Sequence, residues 1–286
     1  MRSGFATLVG RPNVGKSTLL NAICGTKVAI VSDNPQTTRH QVRGIFEVRS
    51  GGEDGPLDAQ VVFVDTPGIH KPRTQAGERM NAAALDALAD VDVVCLVLDA
   101  TAPMGRGDRF VAERVPRNAL CVVNKVDVAT RAQVAEQLAR AAQLDVAEYF
   151  PVSARTGEGV AELRDAVVAR MPDGPPYYPQ GTVTDVPDAV WVAELVREQL
   201  LAVVRDELPH SVACQVTELE WPRIRCEILV ERESQKGIVI GKGGSVLRQV
   251  GTAARAQLAP GAHLEVVVKV ERDWQRRPRV LDRLGF

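Results

Sequence analysis

No apolar run in the sequence reaches the roughly 18 residues that a transmembrane helix needs, and no secretory signal fits before the first predicted strand, which begins at Phe5. None of the five cysteines forms a CxxC pair, so we expect reduced, buried thiols rather than disulfides or metal ligands. An excess of charge is missing too, because 35 Lys and Arg residues balance 36 Asp and Glu residues. These absences predict a cytoplasmic protein. Its balanced charge argues against binding of a polyanion over the whole surface, although a local basic patch remains possible.

The composition is that of an ordinary globular protein, with 45% apolar and 25% charged residues, which excludes a disordered or low-complexity chain. A length of 286 residues exceeds the usual size of one domain. Four prolines and two glycines between Pro172 and Gly181 disfavour a helix or a central strand there. We therefore expect a first domain at residues 1–171, a linker at residues 172–188 and a second domain at residues 189–286.

The first domain alternates apolar strands with helical stretches. Residues 61–64 are apolar at every position, and such a strand is covered on both faces, as in a parallel sheet. Residues 41–48 alternate in polarity and predict an antiparallel edge strand. The predicted fold class is therefore α/β, with a mostly parallel sheet, βαβ units and right-handed crossovers. The other strands are predicted at residues 5–9, 91–98, 119–123 and 149–152, and helices at residues 80–88 and 131–144.

The second domain has a different pattern. Apolar residues repeat at helical spacing from Ala189 to Val203, and three strands then alternate with a period of two. The strands are predicted around residues 212–216, 224–230 and 264–270, and a helix at about residues 245–258 precedes the last of them. The alternation predicts a smaller α+β domain, whose sheet has one face buried under helices and one solvated face.

A glycine-rich loop follows the first strand and opens a helix. In this setting glycines let backbone N–H groups turn towards phosphates, a lysine reaches the terminal phosphates and a serine hydroxyl can bind Mg²⁺. The loop therefore predicts a nucleoside triphosphate site. Its residues are Gly10, Arg11, Pro12, Asn13, Val14, Gly15, Lys16, Ser17 and Thr18.

Three further polar segments follow predicted strands and specify the base and the reaction. A carboxylate at Asp65 can hold Mg²⁺ through water, and the Gly68 N–H can meet a γ-phosphate. Asp127 can accept hydrogen bonds from the N1–H and the amino group of guanine, a donor pair that adenine lacks. Each segment alone is also typical of a solvated turn. The predicted residues are Asp65, Thr66, Pro67, Gly68, Ile69, Asn124, Lys125, Val126, Asp127, Ser153, Ala154 and Arg155.

Because these segments follow successive strands in order, the sequence resembles the translation-factor-related GTPases. The resemblance implies that Thr38, with Thr37 as the alternative, is a switch residue that binds Mg²⁺ together with Ser17 and Asp65. Ras-like GTPases have a glutamine where this chain has Ile69, so we expect slow intrinsic hydrolysis. Asn13 is a candidate for holding K⁺ beside the phosphates, the alternative being an Asn that only caps the loop. The implied switch segment is Gln36, Thr37, Thr38, Arg39 and His40.

The stretch Gly-Lys-Gly-Gly before the helix of the second domain resembles the Gly-x-x-Gly loop of a KH domain, of the type found in bacterial RNA-binding proteins. Glycines without a Cβ let the sugar–phosphate backbone approach, and a lysine adds charge. The loop predicts binding of single-stranded RNA and not of DNA. Trp274, in the basic tail, either stacks on RNA or packs inward from a terminal helix, and we favour the second. The predicted RNA-binding residues are Lys236, Gly241, Lys242, Gly243, Gly244 and Arg248.

A GTPase domain followed by a type II KH domain resembles the Era GTPases over nearly the whole chain, most closely at residues 10–21, 36–40, 208–212 and 229–244. That family implies a GTP-dependent assembly factor for the small ribosomal subunit, which binds the 3′ end of its rRNA. It also implies peripheral association with the inner face of the cell membrane. The alternatives are a GTPase in RNA modification and a metabolic P-loop phosphotransferase, which would have no need of Asn124–Asp127.

Overall fold

The computed structural model describes residues 1–34, 37–52, 55–69, 72, 74–205 and 208–286. The chain forms two compact units. The first comprises Met1–Ala29, Thr38–Pro72 and Arg79–Asp185. The second comprises Ile30–Thr37, Arg73–Glu78 and Val186–Phe286, so two short segments from the first third of the sequence belong to it.

The first unit contains a six-stranded sheet in the order β2-β3-β1-β4-β5-β6. Strand β2 is antiparallel to β3, and the other pairs are parallel, as the sequence predicts. The strands are β1 (Arg2–Val9), β2 (Val42–Arg49), β3 (Leu57–Asp65), β4 (Val93–Asp99), β5 (Leu120–Asn124) and β6 (Glu148–Val152). The helices that lie between β1 and residue 171 are α1 (Lys16–Cys24), α2 (Gln75–Asp86), α3 (Arg106–Ala112), α4 (Arg131–Ala141) and α5 (Val160–Val168).

The central strands are buried on both faces. Leu8 and Phe63 face one apolar cluster, and Leu96 and Leu98 face another, and all four side chains are fully buried. Burying a side chain of this size contributes roughly 1.5–3 kcal/mol. The two clusters fix the parallel strands in register, so the residues that follow β1, β3, β5 and β6 meet at one edge of the sheet.

Residues 172–185 of the predicted linker (residues 172–188), here called the linker segment, contact β1 at their start, where Ser3 N–H donates to Pro172 O over 2.9 Å, and they follow the outer edge of β2 from residue 181 onwards. Ile45 N–H donates to Val183 O over 2.9 Å. Arg43 Nη1 lies 2.8 Å from Asp185 Oδ2. The linker segment is therefore bound to the sheet of the first unit at both of its ends.

The second unit contains a three-stranded sheet in the order β7-β8-β9, with β7 antiparallel and β9 parallel to β8. The strands are β7 (Ala213–Glu220), β8 (Arg223–Val230) and β9 (His263–Val270). The helices are α6 (Asp188–Val203), α7 (Leu208–Ser211), α8 (Glu233–Ile240), α9 (Ser245–Arg255) and α10 (Pro278–Leu284), with 3-10 turns at Lys242–Gly244 and Trp274–Arg276. The sequence pattern predicted α6, the three strands, a short helix at α8 and α9, the favoured terminal helix of the tail corresponds to α10, and α7 was missed.

One face of this sheet packs against helices, as predicted, through buried residues such as Val196, Ile228 and Val250. The expectation of a solvated second face is wrong at one end. There Leu229 is fully buried beside Trp274, which is 1% exposed. The Trp274 indole N–H donates to Ser211 O over 2.9 Å, so this residue packs inward, as we favoured, and its ring is not available to stack on RNA.

Replacing Trp274 by Ala should lower the free energy of unfolding by about 3–5 kcal/mol, because it leaves a large cavity and an unpaired buried carbonyl. Urea unfolding followed by circular dichroism measures the change. Trp221→Ala is a matched control, since the Trp221 side chain is 60% exposed. Equal effects of the two substitutions would contradict the packing role of Trp274.

All five cysteines are free. Burial raises the pKa of the Cys95 and Cys121 thiols to about 12, so both are unreactive near neutral pH. Within the described ranges, no helix combines the length and the apolar character needed to cross a membrane.

Candidate functional site

The loop after β1 is shaped by left-handed backbone conformations. Asn13 has φ = 64° and Gly15 has φ = 94°. A Cβ atom on Gly15 would lie 2.4 Å from Asn124 Nδ2, so only glycine fits this position. Helix α1 begins at the next residue, and the N–H groups of its first turn point towards the loop.

Lys16 lies at the centre of the loop and is only 6% exposed. Its Nζ donates to Gly10 O over 3.2 Å and to Arg11 O over 3.1 Å. Burial lowers the pKa of Lys16 to about 8, although the nearby Asp65 carboxyl acts in the opposite direction. The loop thus surrounds a poorly solvated amine, and phosphate oxygens would favour its charged form.

Ser17, Thr38 and Asp65 bring three side-chain oxygens together. Ser17 Oγ donates to Asp65 Oδ2 over 2.6 Å and lies 2.7 Å from Thr38 Oγ1, which is 3.1 Å from the same carboxylate oxygen. Asp65 Oδ1 is buried and has no hydrogen-bond partner among the described residues. Burial raises the pKa of Asp65, while Lys16 opposes this effect. Oxygen donors with an unsatisfied buried carboxylate fit a Mg²⁺ site.

The two adjacent threonines differ in what they contact. The Thr37 hydroxyl lies 2.7 Å from Ser32 Oγ and donates to Asn34 O over 2.7 Å, which closes a local turn. Thr38, and not Thr37, therefore reaches the cluster with Ser17. Of the other predicted switch residues, Arg39 is buried, His40 is half-buried, and Gln36 lies outside the described residues.

The segment after β3 crosses the phosphate loop. A Cβ atom on Gly68 would lie 2.6 Å from Pro12 N, so this glycine is required by close approach of the two loops. Thr66 Oγ1 donates to Leu8 O over 3.0 Å. Ile69 is 4% exposed and packs into an apolar cluster of the first unit, so its side chain does not face the loop.

Asn124 ties the phosphate loop to the segment after β6. Its Nδ2 donates to Val14 O over 2.9 Å, and its Oδ1 accepts from Ala154 N–H over 3.0 Å. Asp127 is exposed, and its Oδ1 accepts from Ser153 Oγ over 2.8 Å. The structure thus brings the predicted base-binding segments together, with an oriented carboxylate at the surface.

Sequence reasoning missed Asp99. Lys125 Nζ lies 2.6 Å from Asp99 Oδ2 and donates to Asn13 O over 2.6 Å, which holds the Lys125 side chain across the loop. Asp99 ends β4, so the same argument that selected polar residues at strand ends would have found it.

The glycine-rich loop of the second unit joins α8 to α9. Gly241, Gly243 and Gly244 all have positive φ, at 73°, 59° and 76°. A Cβ atom on Gly241 would lie 2.6 Å from Val246 Cγ2, whereas Gly243 and Gly244 have nothing within 4 Å of that position. Lys242, between Gly241 and Gly243, is exposed. The loop therefore presents open backbone and a cation in front of the N-terminus of α9.

A groove of about 330 Å³ continues from this loop. Leu264 and Val266 of β9 form its apolar floor, and Arg248 and Arg255 of α9 border it. Lys236 is half-buried on α8. Apolar floor, basic rim and open glycine backbone suit unstacked bases and their phosphates.

Family models match both parts of the chain. A model described as 50S ribosome-binding GTPase matches residues 5–125, and a model described as KH domain matches residues 207–275.

Curated relatives match over the full length. The GTPase Era of Mycolicibacterium paratuberculosis is 48% identical over 303 residues, covering 100% of this chain and 99% of the relative. The GTPase Era of Mycobacterium tuberculosis strain H37Rv is also 48% identical, covering 99% of this chain and 98% of the relative.

Two solved structures have the same fold as this chain. One is a single-substitution variant of Aquifex aeolicus Era bound to GDP and AlF4⁻, with a TM-score of 0.92 and 34% identity over 100% of this chain and 99% of that one. The other is Era in complex with MgGDPNP and nucleotides 1506–1542 of 16S ribosomal RNA, with a TM-score of 0.91, 34% identity and the same coverage. Full-length identity of this kind, with both the GTPase and the KH models matched, shows that the chain belongs to the Era family of GTPases.

Proposed function

We propose that this protein hydrolyses GTP in the first unit, binds the 3′ end of small-subunit rRNA through the second, and thereby assists assembly of the small ribosomal subunit. The observation that carries the GTPase assignment is the convergence of Lys16, Ser17, Thr38 and Asp65 at one edge of the sheet that also presents Asp127. The structural relative bound to 16S rRNA matches the whole chain, whereas the model that names the 50S subunit covers residues 5–125 only, so the small subunit is favoured.

The site residues have the following roles in this proposal. Lys16 lies against the terminal phosphates, and the Gly68 N–H donates to the γ-phosphate. Ser17 and Thr38, and Asp65 through water, would hold Mg²⁺, which would supply positive charge beside the phosphates. Three side chains that already lie together need little rearrangement to take these roles.

Hydrolysis is slow in this proposal, because no side chain at position 69 orients the attacking water. The Ile69 side chain is packed among apolar residues of the first unit. Backbone groups of the neighbouring segments therefore have to position the water, which is a weaker arrangement than a dedicated glutamine.

We also propose that Asn13 holds K⁺ beside the phosphates. The Asn13 carbonyl accepts from Lys125 Nζ, which fixes the main chain, and the residue is exposed at the loop. GTP turnover should then be at least about tenfold faster in K⁺ than in Na⁺, because a site with donors spaced for K⁺ does not close around the smaller Na⁺, and only the bound ion adds positive charge at the transition state. Asn13→Gly removes the amide and keeps the left-handed backbone (φ = 64°) without strain. The Asn13→Gly variant should hydrolyse GTP at equal rates in both salts. A wild-type protein without a preference for K⁺ would overturn the proposal.

The function as a whole is tested by two measurements on the full chain. Nucleotide competition should show that GTP and GDP displace labelled GDP and that ATP does not, which also tests the phosphotransferase alternative. Crosslinking to total rRNA in the presence of a GTP analogue should recover the 3′ end of small-subunit rRNA. Recovery of a large-subunit fragment, or of none, would overturn the RNA assignment.

The location of the protein in the cell belongs to the same proposal. Cytoplasmic location, with peripheral attachment to the inner face of the cell membrane, is supported by the family resemblance alone. Flotation of the purified protein with vesicles of a bacterial lipid composition tests the attachment, and a protein that stays at the bottom of the gradient would remove it.

A further inference from the structure

The segment Ile30–Thr37 belongs to the second unit, and the switch residue Thr38 comes directly after it. Three residues of α6, Arg197, Glu198 and Leu201, make hydrogen bonds to this segment. The three hydrogen bonds are Val31 N–H to Glu198 Oε1 (2.9 Å), Asn34 Nδ2 to Leu201 O (3.0 Å) and Arg197 Nη2 to Thr37 O. The contacts at both ends involve backbone groups, the Val31 N–H and the Thr37 carbonyl, so they constrain the main chain at these two residues.

Arg197 is built into this contact. Its side chain is 1% exposed, and its Nε and Nη2 lie 2.8 Å and 2.5 Å from the Glu194 carboxylate. Burial alone would lower the pKa of Arg197, but Glu194 outweighs that effect and the pKa is raised, so the guanidinium stays charged. A buried cation is costly unless it is paired, and the pairing with Glu194 fixes its direction.

The carbonyl that Arg197 binds has a direct consequence for Thr38. Thr37 C=O and Thr38 N–H form one planar peptide group, so fixing the carbonyl oxygen fixes the plane from which the Thr38 side chain departs. The Thr38 hydroxyl is 2.7 Å from Ser17 Oγ and 3.1 Å from Asp65 Oδ2. Small displacements of that plane would move the hydroxyl out of this cluster.

We infer that Arg197 is a positioning residue for Thr38: by holding the Thr37 carbonyl, it keeps the Thr38 hydroxyl where Mg²⁺ and the γ-phosphate of GTP bind. The inference rests on the proposed function, because it uses the role of Thr38 given there.

A positioning role predicts a selective defect. GDP has no γ-phosphate and does not need Thr38, whereas a GTP analogue does. Arg197→Met keeps the aliphatic volume and removes the hydrogen bond to Thr37 O. We expect the affinity for a non-hydrolysable GTP analogue to fall by about tenfold and kcat by about 10- to 100-fold, as for loss of a charged hydrogen bond, while GDP affinity stays within about twofold. Arg197→Lys keeps one donor and should restore part of the difference.

Two further variants separate positioning from stability. Asn34→Ala removes the bond to Leu201 O from a half-buried surface position, leaves α6 intact, and should lower the analogue-to-GDP affinity ratio about threefold. Arg43→Met is the matched control, since it removes an exposed ion pair with Asp185 and should leave the ratio unchanged.

The outcomes are distinct. If the wild type neither prefers guanine nor hydrolyses GTP, the proposed function fails. If the wild type does both and folded Arg197→Met keeps its affinity ratio, or loses affinity for GDP and analogue equally, the inference fails alone. If Arg197→Met does not fold by circular dichroism, a wild-type ratio in Asn34→Ala overturns the inference.

Discussion

Asp127→Asn is expected to lower the affinity for GDP by about 10³-fold and to make XDP the better ligand, because the site then lacks the acceptor for the guanine amino group. Guanine presents N1–H and an exocyclic amino group, and a carboxylate accepts from both. Xanthine has a carbonyl in place of that amino group, and an Asn amide can donate to it. Ser153 Oγ can still donate to the remaining oxygen at position 127, so the side chain keeps its orientation.

Equilibrium titration with fluorescent GDP and XDP measures both affinities. Asp145→Asn is the matched control, because the Asp145 side chain is 73% exposed and pairs with the exposed Arg117. It should leave both affinities unchanged. An Asp127→Asn protein that still prefers guanine would show that another group reads the base.

Gly244→Asp is expected to lower RNA affinity by about 100-fold, because a carboxylate would stand where phosphates approach the N-terminus of α9. The backbone at Gly244 has φ = 76°, a region that Asp and Asn tolerate better than other side chains, and a new Cβ would meet nothing within 4 Å. The substitution therefore changes charge at the loop more than it changes the fold. GTP turnover without RNA should stay at the wild-type value.

Gly244→Asn separates charge from shape. It has the same backbone strain and nearly the same size as the Asp variant but carries no charge. We therefore expect it to lower RNA affinity by only about tenfold, compared with about 100-fold for the Asp variant. Filter binding of a single-stranded rRNA 3′-end oligonucleotide, at two salt concentrations, measures the difference. Wild-type binding by Gly244→Asp would show that RNA does not contact this loop.

Much of the first unit follows from local pattern. The apolar run at residues 61–64 specifies a doubly covered strand, and polar residues such as Asp65 and Asn124 end such strands. Because parallel strands end at one edge, sequence order alone predicts which residues meet there. The same logic covers the glycine loop before α9, whose flanking helices and strands have clear periodicity.

Contacts that depend on distant parts of the chain could not be predicted in this way. Thr37 and Thr38 are chemically identical neighbours, and only the turn at Ser32 and Asn34 decides which hydroxyl faces Ser17. Arg197 interrupts an apolar helical pattern, which by itself indicates a solvated position. Its burial comes from a segment 160 residues away in the sequence.

The second face of the small sheet was mispredicted for a related reason. Period-two alternation describes each strand by itself and predicts one solvated face, on which Leu229 lies because it alternates with Ile228. The C-terminal residues from Trp274 onwards, which carry many charges, then cover that position with their few apolar side chains. Charge in a terminal segment indicates solvation of most of it and does not exclude packing of the rest.

The position of the linker segment on β2 also affects how copies of this protein behave towards each other. A strand at the end of a sheet exposes unpaired N–H and C=O groups, to which a strand of a neighbouring molecule can add. Here the pairing of Ile45 with Val183 occupies part of that edge, and the Arg43–Asp185 pair places charge beside it. The segment that connects the units thereby protects the GTPase sheet from intermolecular strand addition and aggregation.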